Sequence, residues 1–223
     1  MRTKFTWADG VAIAVWLLPL VYLSRVYSSL GPTLPVHFDL LGRPNRYGSR
    51  AEFVGAILLI SGVSLGTSLL VRFLPNIDPK QKVKYSQPIF VRISYAVLFF
   101  LSAVGISVVY AGVHGHFAFK DRLMFPLLGL FFAYLGNLFN NLKPNYFVGI
   151  RTPWTLESGE VWRRTHQMGG RLWLLGGIVM SILCWVLPPD AAEITFTVCS
   201  FVLVLVPVTY SYICFRQLQK KPL

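Results

Sequence analysis

Three of the four histidines, His37, His114 and His116, lie in connections between apolar stretches, and Asp39 follows His37 by two residues. One His-x-Asp pair and one His-x-His pair offer four donors, the number that a tetrahedral zinc takes. Zinc-dependent hydrolysis also needs a general base. The chain has neither a His-Glu-x-x-His helix nor a glutamate close to these residues. His37, Asp39, His114 and His116 therefore form a candidate metal set without its catalytic partner, and no metal or cofactor is assigned. A local role for the first pair competes with ligation. Pro35 and Pro44 fix φ and Gly42 and Gly48 permit turns, so the segment 34–50 is expected to be ordered. In extended chain, His37 and Asp39 share one face and Val36 and Phe38 the other. The polar pair is then either an external contact point or a His37–Asp39 hydrogen bond that pins the loop.

A second concentration of polar groups runs from Asn137 to Arg171. Asn137, Asn140 and Asn141 recur at helical spacing at the end of an apolar stretch, and Asn137, Asn140 and Lys143 are expected to close an inner vestibule. Asn145 to Arg151 is aromatic and β-branched, with Gly149 ahead of a bend at Pro153. Thr155 reads as the N-cap of a short helix with Glu157 and Glu160 in its positive first turn. Trp162, Arg163, Arg164 and His166 follow on that helix, and Gly169-Gly170 is expected to end it. Such a helix can lie in the headgroup plane, with Arg163, Arg164 and Arg171 meeting anionic lipid.

The elements that must position these groups follow from composition. Of 223 residues, 54% are hydrophobic and 13% charged, against about a quarter charged in soluble domains. A soluble cytosolic enzyme, a disordered tail and a disulfide scaffold are excluded. Cys184, Cys199 and Cys214 are far apart in or at the ends of apolar runs and read as small apolar fillers. Six stretches approach the roughly 20 residues that a helix needs to cross a bilayer: about 7–28, 53–74, 89–113, 123–142, 172–187 and 194–215. The first has no small-residue cleavage site after its apolar run, so it is taken as a mature span rather than a signal peptide. Trp173 and Trp185 flank the fifth and shortest, as interfacial aromatics do. Pro19, Pro126 and Pro207 are expected to kink their spans, and Gly55/Gly62/Gly66 and Gly176-Gly177 to allow close helix approach.

The net charge of +12 fits membrane orientation and anionic lipid better than nucleic acid, and no direct nucleic-acid binding is expected. With the N-terminus inside, the inner segments hold Arg2, Lys4, Arg72, Lys80, Lys82, Lys84, Lys143, Arg151, Arg163, Arg164, Arg171, Arg216, Lys220 and Lys221. The outer segments hold Arg25, Arg43, Arg46, Arg50, Lys120 and Arg122. This asymmetry predicts an all-α bundle of six transmembrane helices with both termini cytoplasmic. Arg92 falls inside the third span and Asp9 near the start of the first; they are expected to pair, snorkel or stay wet.

The run Gly136-Asn137, then Lys143-Pro144-Asn145-Tyr146-Phe147-Val148-Gly149-Ile150-Arg151-Thr152-Pro153-Trp154-Thr155-Leu156, then Val161-Trp162-Arg163-Arg164-Thr165-His166 and Gly169-Gly170 resembles the signature of the SdpI family. The external Pro35-Val36-His37-Phe38-Asp39 with Gly42-Arg43-Pro44 resembles the motif of an uncharacterised membrane domain that commonly precedes that signature. With their spans the two resemblances cover nearly the whole chain. They imply a multi-pass bacterial plasma-membrane protein of toxin immunity and signalling, which binds a secreted toxic peptide outside and recruits a small ArsR-type repressor to its cytoplasmic face. Asn145, Tyr146, Arg151, Trp154, Arg163, Arg164 and His166 are the signature residues expected to position that face or meet the partner.

The domain division expected is a three-span N-terminal membrane domain over 1–118 and a three-span SdpI-type domain over 119–223. The function expected is binding and signalling without chemistry of its own. A small-solute transporter or channel is the alternative, since an intramembrane ionisable residue such as Arg92 marks a solute path in other proteins; a metal-dependent membrane enzyme is the third. Membrane lipid is an expected partner in every case, and the sequence sets no oligomeric state.

Overall fold

A computed structural model describes residues 5–39, 43–77, 87–116 and 123–219. The chain runs α1 (Trp7–Val26), a single 3-10 turn (Tyr27–Ser29), β1 (Thr33–Phe38), β2 (Pro44–Ser49), α2 (Arg50–Ile77), α3 (Gln87–His114), α4 (Met124–Phe139), α5 (Pro153–Glu157), α6 (Gly159–Val186) and α7 (Pro189–Gln219). Five of these helices are long and apolar enough to cross a bilayer, with α4 a shorter apolar helix of 16 residues. At 1.5 Å per residue α4 is about 24 Å long. The protein is an all-α, multi-pass membrane protein carrying one small hairpin. The short member is the fourth helix and not the fifth as expected, because α6 begins thirteen residues before Leu172. Lys80, Lys82, Lys84, Lys120 and Arg122, like both charged chain ends, lie outside the described residues.

The described residues fall into two compact units, Met1–Val71 with Ile93–Met124, and Arg72–Arg92 with Phe125–Leu223. In the first unit, Leu23, Leu30, Leu34, Phe53, Ile57, Val108, Val109 and Ala111 form the buried cluster. The Phe53 ring fills the space that a side chain at Gly112 would need, 2.4 Å from the ideal Cβ position. Helices α2 and α3 are tied by hydroxyls, since Ser68 donates to the Ser94 carbonyl at 3.0 Å and Ser64 to that of Leu98 at 3.4 Å. Such interhelical bonds replace the hydrophobic drive that lipid removes. Asp9 is buried and not wet: one carboxylate oxygen accepts from the Thr6 amide and hydroxyl, the other from the Tyr95 hydroxyl at 2.7 Å. Gly55, Gly62 and Gly66 face no atom within 4 Å of their Cβ positions, so they are not the close-approach seam their spacing predicts.

In the second unit the close approach is between α4 and α6. A Cβ on Gly129 would meet the Gly177 carbonyl at 2.7 Å, and one on Gly177 the Gly129 carbonyl at 2.5 Å. One on Gly170 would meet the Gly136 carbonyl at 2.9 Å. Trp173 serves this packing instead of marking an interface. It lies against Phe132 and Phe139 at 5.3 and 5.0 Å and donates its indole N–H to the Leu203 carbonyl of α7. Cys184 and Cys214 are buried and all three thiols are free. Pro19 and Pro207 lie inside α1 and α7. Pro126 lies in the first turn of α4, where its missing N–H has no intrahelical acceptor to lose.

Candidate functional site

The signature residues converge on the connector between α4 and α6. Its centre is Asn145, buried at 2% exposure, whose four side-chain hydrogen bonds are all local. The Oδ1 atom accepts from the amides of Phe147 and Val148, both at 2.8 Å; the Nδ2 group donates to the carbonyls of Lys143 and Val148 at 2.9 and 3.1 Å. An asparagine satisfied in this way folds the chain on itself without a regular element. Arg151 then reaches back to donate to the Tyr146 carbonyl.

Three residues after this turn, the connector is locked onto α6. The His166 Nε2 atom accepts from the Ile150 amide at 3.0 Å, and Nδ1 faces the Trp162 carbonyl at 2.9 Å. Those two partners select one form of the ring, neutral with its proton on Nδ1. The Trp162 indole stacks on His166 with centroids 4.0 Å apart and donates its N–H to the Leu142 carbonyl at 2.8 Å. Gly149 makes the approach possible. It has φ +112°, and a Cβ there would stand 2.4 Å from His166 Nε2 and 2.9 Å from Leu142 Cδ2. His166 is thus a buried structural residue at 1% exposure, not the partner-facing group expected of it. The alternation of the helix accounts for this: residues 162, 165, 166 and 169 share its buried face, while Arg163 and Gln167 point out.

Helix α5 holds the connector to α7. Its N-cap is Thr152 and not Thr155, because Pro153, with fixed φ and no N–H, takes the first helical position. Thr155 sits three residues on and completes a reciprocal cap: its amide donates to the Thr152 hydroxyl at 3.3 Å, and its own hydroxyl accepts from the Thr152 amide at 2.8 Å. The Trp154 indole donates to the Ser211 hydroxyl and meets the Tyr212 ring edge-on at 5.3 Å. Ser158 then caps α6. The expected short surface helix is instead the first part of a 28-residue helix. Gly169-Gly170 does not end it; the pair opens space on its flank, Gly169 for the Ile150 side chain and Gly170 for α4.

What remains exposed is the other half of the signature. Asn137, Asn140, Asn141, Lys143, Tyr146, Arg151 and Arg163 are all exposed, so Asn137, Asn140 and Lys143 line no enclosed vestibule. Glu160 accepts from Arg163 at 2.7 and 2.9 Å and from Arg164 at 2.6 Å, fixing both guanidiniums. Sequence reasoning missed Thr152, Trp162 as a hydrogen-bond donor, and Ser211. The first was legible in Thr-Pro; the last, 57 residues from Trp154, left no local signal.

In the first unit, the hairpin separates the pair expected to bond. His37 Nδ1 lies 2.6 Å from the Asn45 Oδ1, and Asp39 accepts from the Arg43 amide at 2.8 Å. Alternate residues on a strand are about 6.6 Å apart, whereas residues opposite each other across an antiparallel pair are about 5 Å apart, so each polar group finds its partner across the turn. Behind the strand is a cavity of about 290 Å³ with Val36, Phe38, Ala56, Ile60, Val104, Val108 and Met124 around it and His37 and Asp39 at its edge. The His114 ring stacks on Tyr110 at 3.9 Å and lies 6.4 Å from that of His116. Among the described residues, no three of His, Cys, Asp or Glu are grouped as metal ligands. The rest of the connection between α3 and α4, Phe117 to Arg122, lies outside the described residues.

Comparison with known proteins places these two regions. Residues 141–212 match the SdpI/YfhL protein family, and residues 14–61 match a domain of unknown function, DUF1648. Over 56 residues the chain is 29% identical to the immunity protein SdpI of Bacillus subtilis (strain 168). That alignment spans 25% of this chain and 27% of the relative, so about a quarter of the relative's length is covered. No solved structure matches. The resemblance drawn from the signature residues is shown, and with it a multi-pass bacterial membrane protein.

Proposed function

From a chain that carries an SdpI/YfhL region behind a DUF1648 region, we infer a membrane immunity protein that protects a bacterium against a secreted toxic peptide by binding and not by chemistry. One observation carries this reading. Apart from the buried Thr165 hydroxyl, which has no partner among the described residues, the polar side chains of the signature divide into a buried set satisfied within the fold (Asn145, Thr152, Thr155, His166) and an exposed set (Lys143, Tyr146, Arg151, Arg163), the division expected of a rigid presenting surface. A catalytic site would instead aim unsatisfied groups at a shared cavity.

The toxin's place is the hairpin of the first unit, where His37 and Asp39 border a mostly apolar cavity large enough for one or two side chains of an amphipathic peptide. The exposed connector, cytoplasmic on the charge-derived sidedness, is the surface for a small ArsR-type repressor. Signalling requires that toxin binding favour one of two arrangements of the protein, since a ligand with equal affinity for both shifts nothing.

Expression in a toxin-sensitive strain lacking its own immunity gene tests the first step. Challenged with the secreted killing peptide over a dose series, expressing cells should survive doses at least about tenfold higher than cells with an empty vector. Superimposed survival curves, with the protein present in the membrane fraction, would remove the immunity function.

A further inference from the structure

A cleft of about 480 Å³ opens between α6 and α7 on the second unit. Its polar wall is Arg164, Gln167, Arg171 and the Tyr210 phenol; its apolar floor is Met168, Leu172 and Leu175. The spacing 164, 168, 171, 175 makes one stripe along α6, so cation and floor alternate down a single face. Arg164 is partly committed, with Nε on Glu160 at 2.6 Å. That one carboxylate also serves Arg163, so two guanidiniums share one acid, and with Arg171 beside them the local charge stays positive. Among the described residues, no hydrogen bond or ion pair engages the Arg171 side chain, which is exposed. Arg171 also sits at the seam of the helix: the fifteen residues from Leu172 to Val186 carry no charge, a length of about 22 Å.

We propose that this cleft is a binding site for one anionic phospholipid. The phosphodiester lies between Arg171 and Arg164, with the Gln167 amide and the Tyr210 hydroxyl as further donors, and an acyl chain runs along Met168, Leu172 and Leu175. Guanidinium is the side chain suited to phosphate oxygens in pairs, and a basic pocket between spanning helices on the cytoplasmic side suits an acidic headgroup. A free phosphate would use only the wall; the floor calls for a chain. The site is independent of which toxin, if any, the protein opposes.

Native mass spectrometry of the full chain, released from micelles doped with equal dioleoylphosphatidylglycerol and dioleoylphosphatidylcholine, tests this. One phosphatidylglycerol should stay bound per chain, in preference to phosphatidylcholine, and millimolar inorganic phosphate should not displace it. Arg171→Gln should lower its retention roughly fivefold, Arg171→Lys less, and Arg25→Gln, an exposed arginine of the other unit, not at all. Equal retention of the two lipids, displacement by phosphate, or unchanged retention in Arg171→Gln would each overturn the site, and the first would leave an acidic protein surface as the occupant of the cleft. Should Arg171→Gln fail to fold, the two-lipid comparison on the unaltered chain decides alone.

Discussion

Gly149 carries more of the site than any charged residue, because it is required twice. Its φ of +112° is one that L side chains rarely adopt, and the space at its Cβ is already held by His166 Nε2. Gly149→Ala therefore combines backbone strain with loss of the Ile150–His166 hydrogen bond, a cost of about 2–4 kcal/mol. Thermal unfolding in detergent should show it as a lower midpoint, and a midpoint equal to that of the unaltered chain would mean that the connector is not docked on α6. Trp162→Phe isolates one bond of the same knot. It keeps a ring stacked on His166 but strands the buried Leu142 carbonyl, and should cost about 1–3 kcal/mol by the same measurement. At this scale the sequence showed that the run 145–166 was special but not why. Asn145, Tyr146 and His166 have the same polar look in a string of letters. Only the helix phase that buries His166 and the turn that closes on Asn145 separate scaffold from exposed surface.

Among the elements, apolar length was legible and boundaries were not. The expected spans coincide with α1, α2, α3 and α7 to within a few residues, because a bilayer-length apolar run leaves little choice. The start of α6 was lost because its first turns are polar: Glu160, Arg163, Arg164 and Gln167 read as a loop, yet Val161, Trp162, Thr165, His166 and Gly169 keep a buried face in register with the apolar half. Glycine was read with mixed success. Gly176-Gly177 was expected to bring helices together, and Gly177 does, with backbone of α4 inside van der Waals distance of its Cβ position. The more regular Gly55/Gly62/Gly66 has nothing against it, since spacing alone does not say what a face meets. A paired substitution separates the two kinds. Gly177→Ala should force α4 and α6 apart and lower the unfolding midpoint sharply, because backbone atoms have no rotamer to escape into; Gly62→Ala should leave the midpoint unchanged or raise it slightly. Equal effects at both positions would show that the α4–α6 approach is looser than these distances.

For the whole molecule, sidedness decides which surface can meet what. The excess of arginine and lysine in alternate connections predicts the signature connector inside the cell and the hairpin outside; the proposed function needs that arrangement, with the hairpin open to a toxin and the connector to an intracellular protein. The protein is well suited to a direct test. Its native thiols, Cys184 and Cys214, are buried and Cys199 is half-buried within α7, so an introduced cysteine dominates labelling. Tyr146 is 40% exposed on the connector and Tyr47 is 59% exposed on β2. In intact cells a membrane-impermeant maleimide should modify Tyr47→Cys and spare Tyr146→Cys, and permeabilisation should make the second site reactive. The reverse pattern would invert the molecule and overturn the proposed placement of toxin and repressor surfaces. Labelling of both sites in intact cells would deny that the helices between them cross the bilayer an odd number of times, since two segments on opposite sides must be joined by an odd number of crossings. The short α4 is the helix on which that parity turns. At about 24 Å it is shorter than the roughly 30 Å hydrocarbon core, and it spans only where the bilayer thins or its flanking residues, such as those of the Asn137–Asn141 end, reach into the interface.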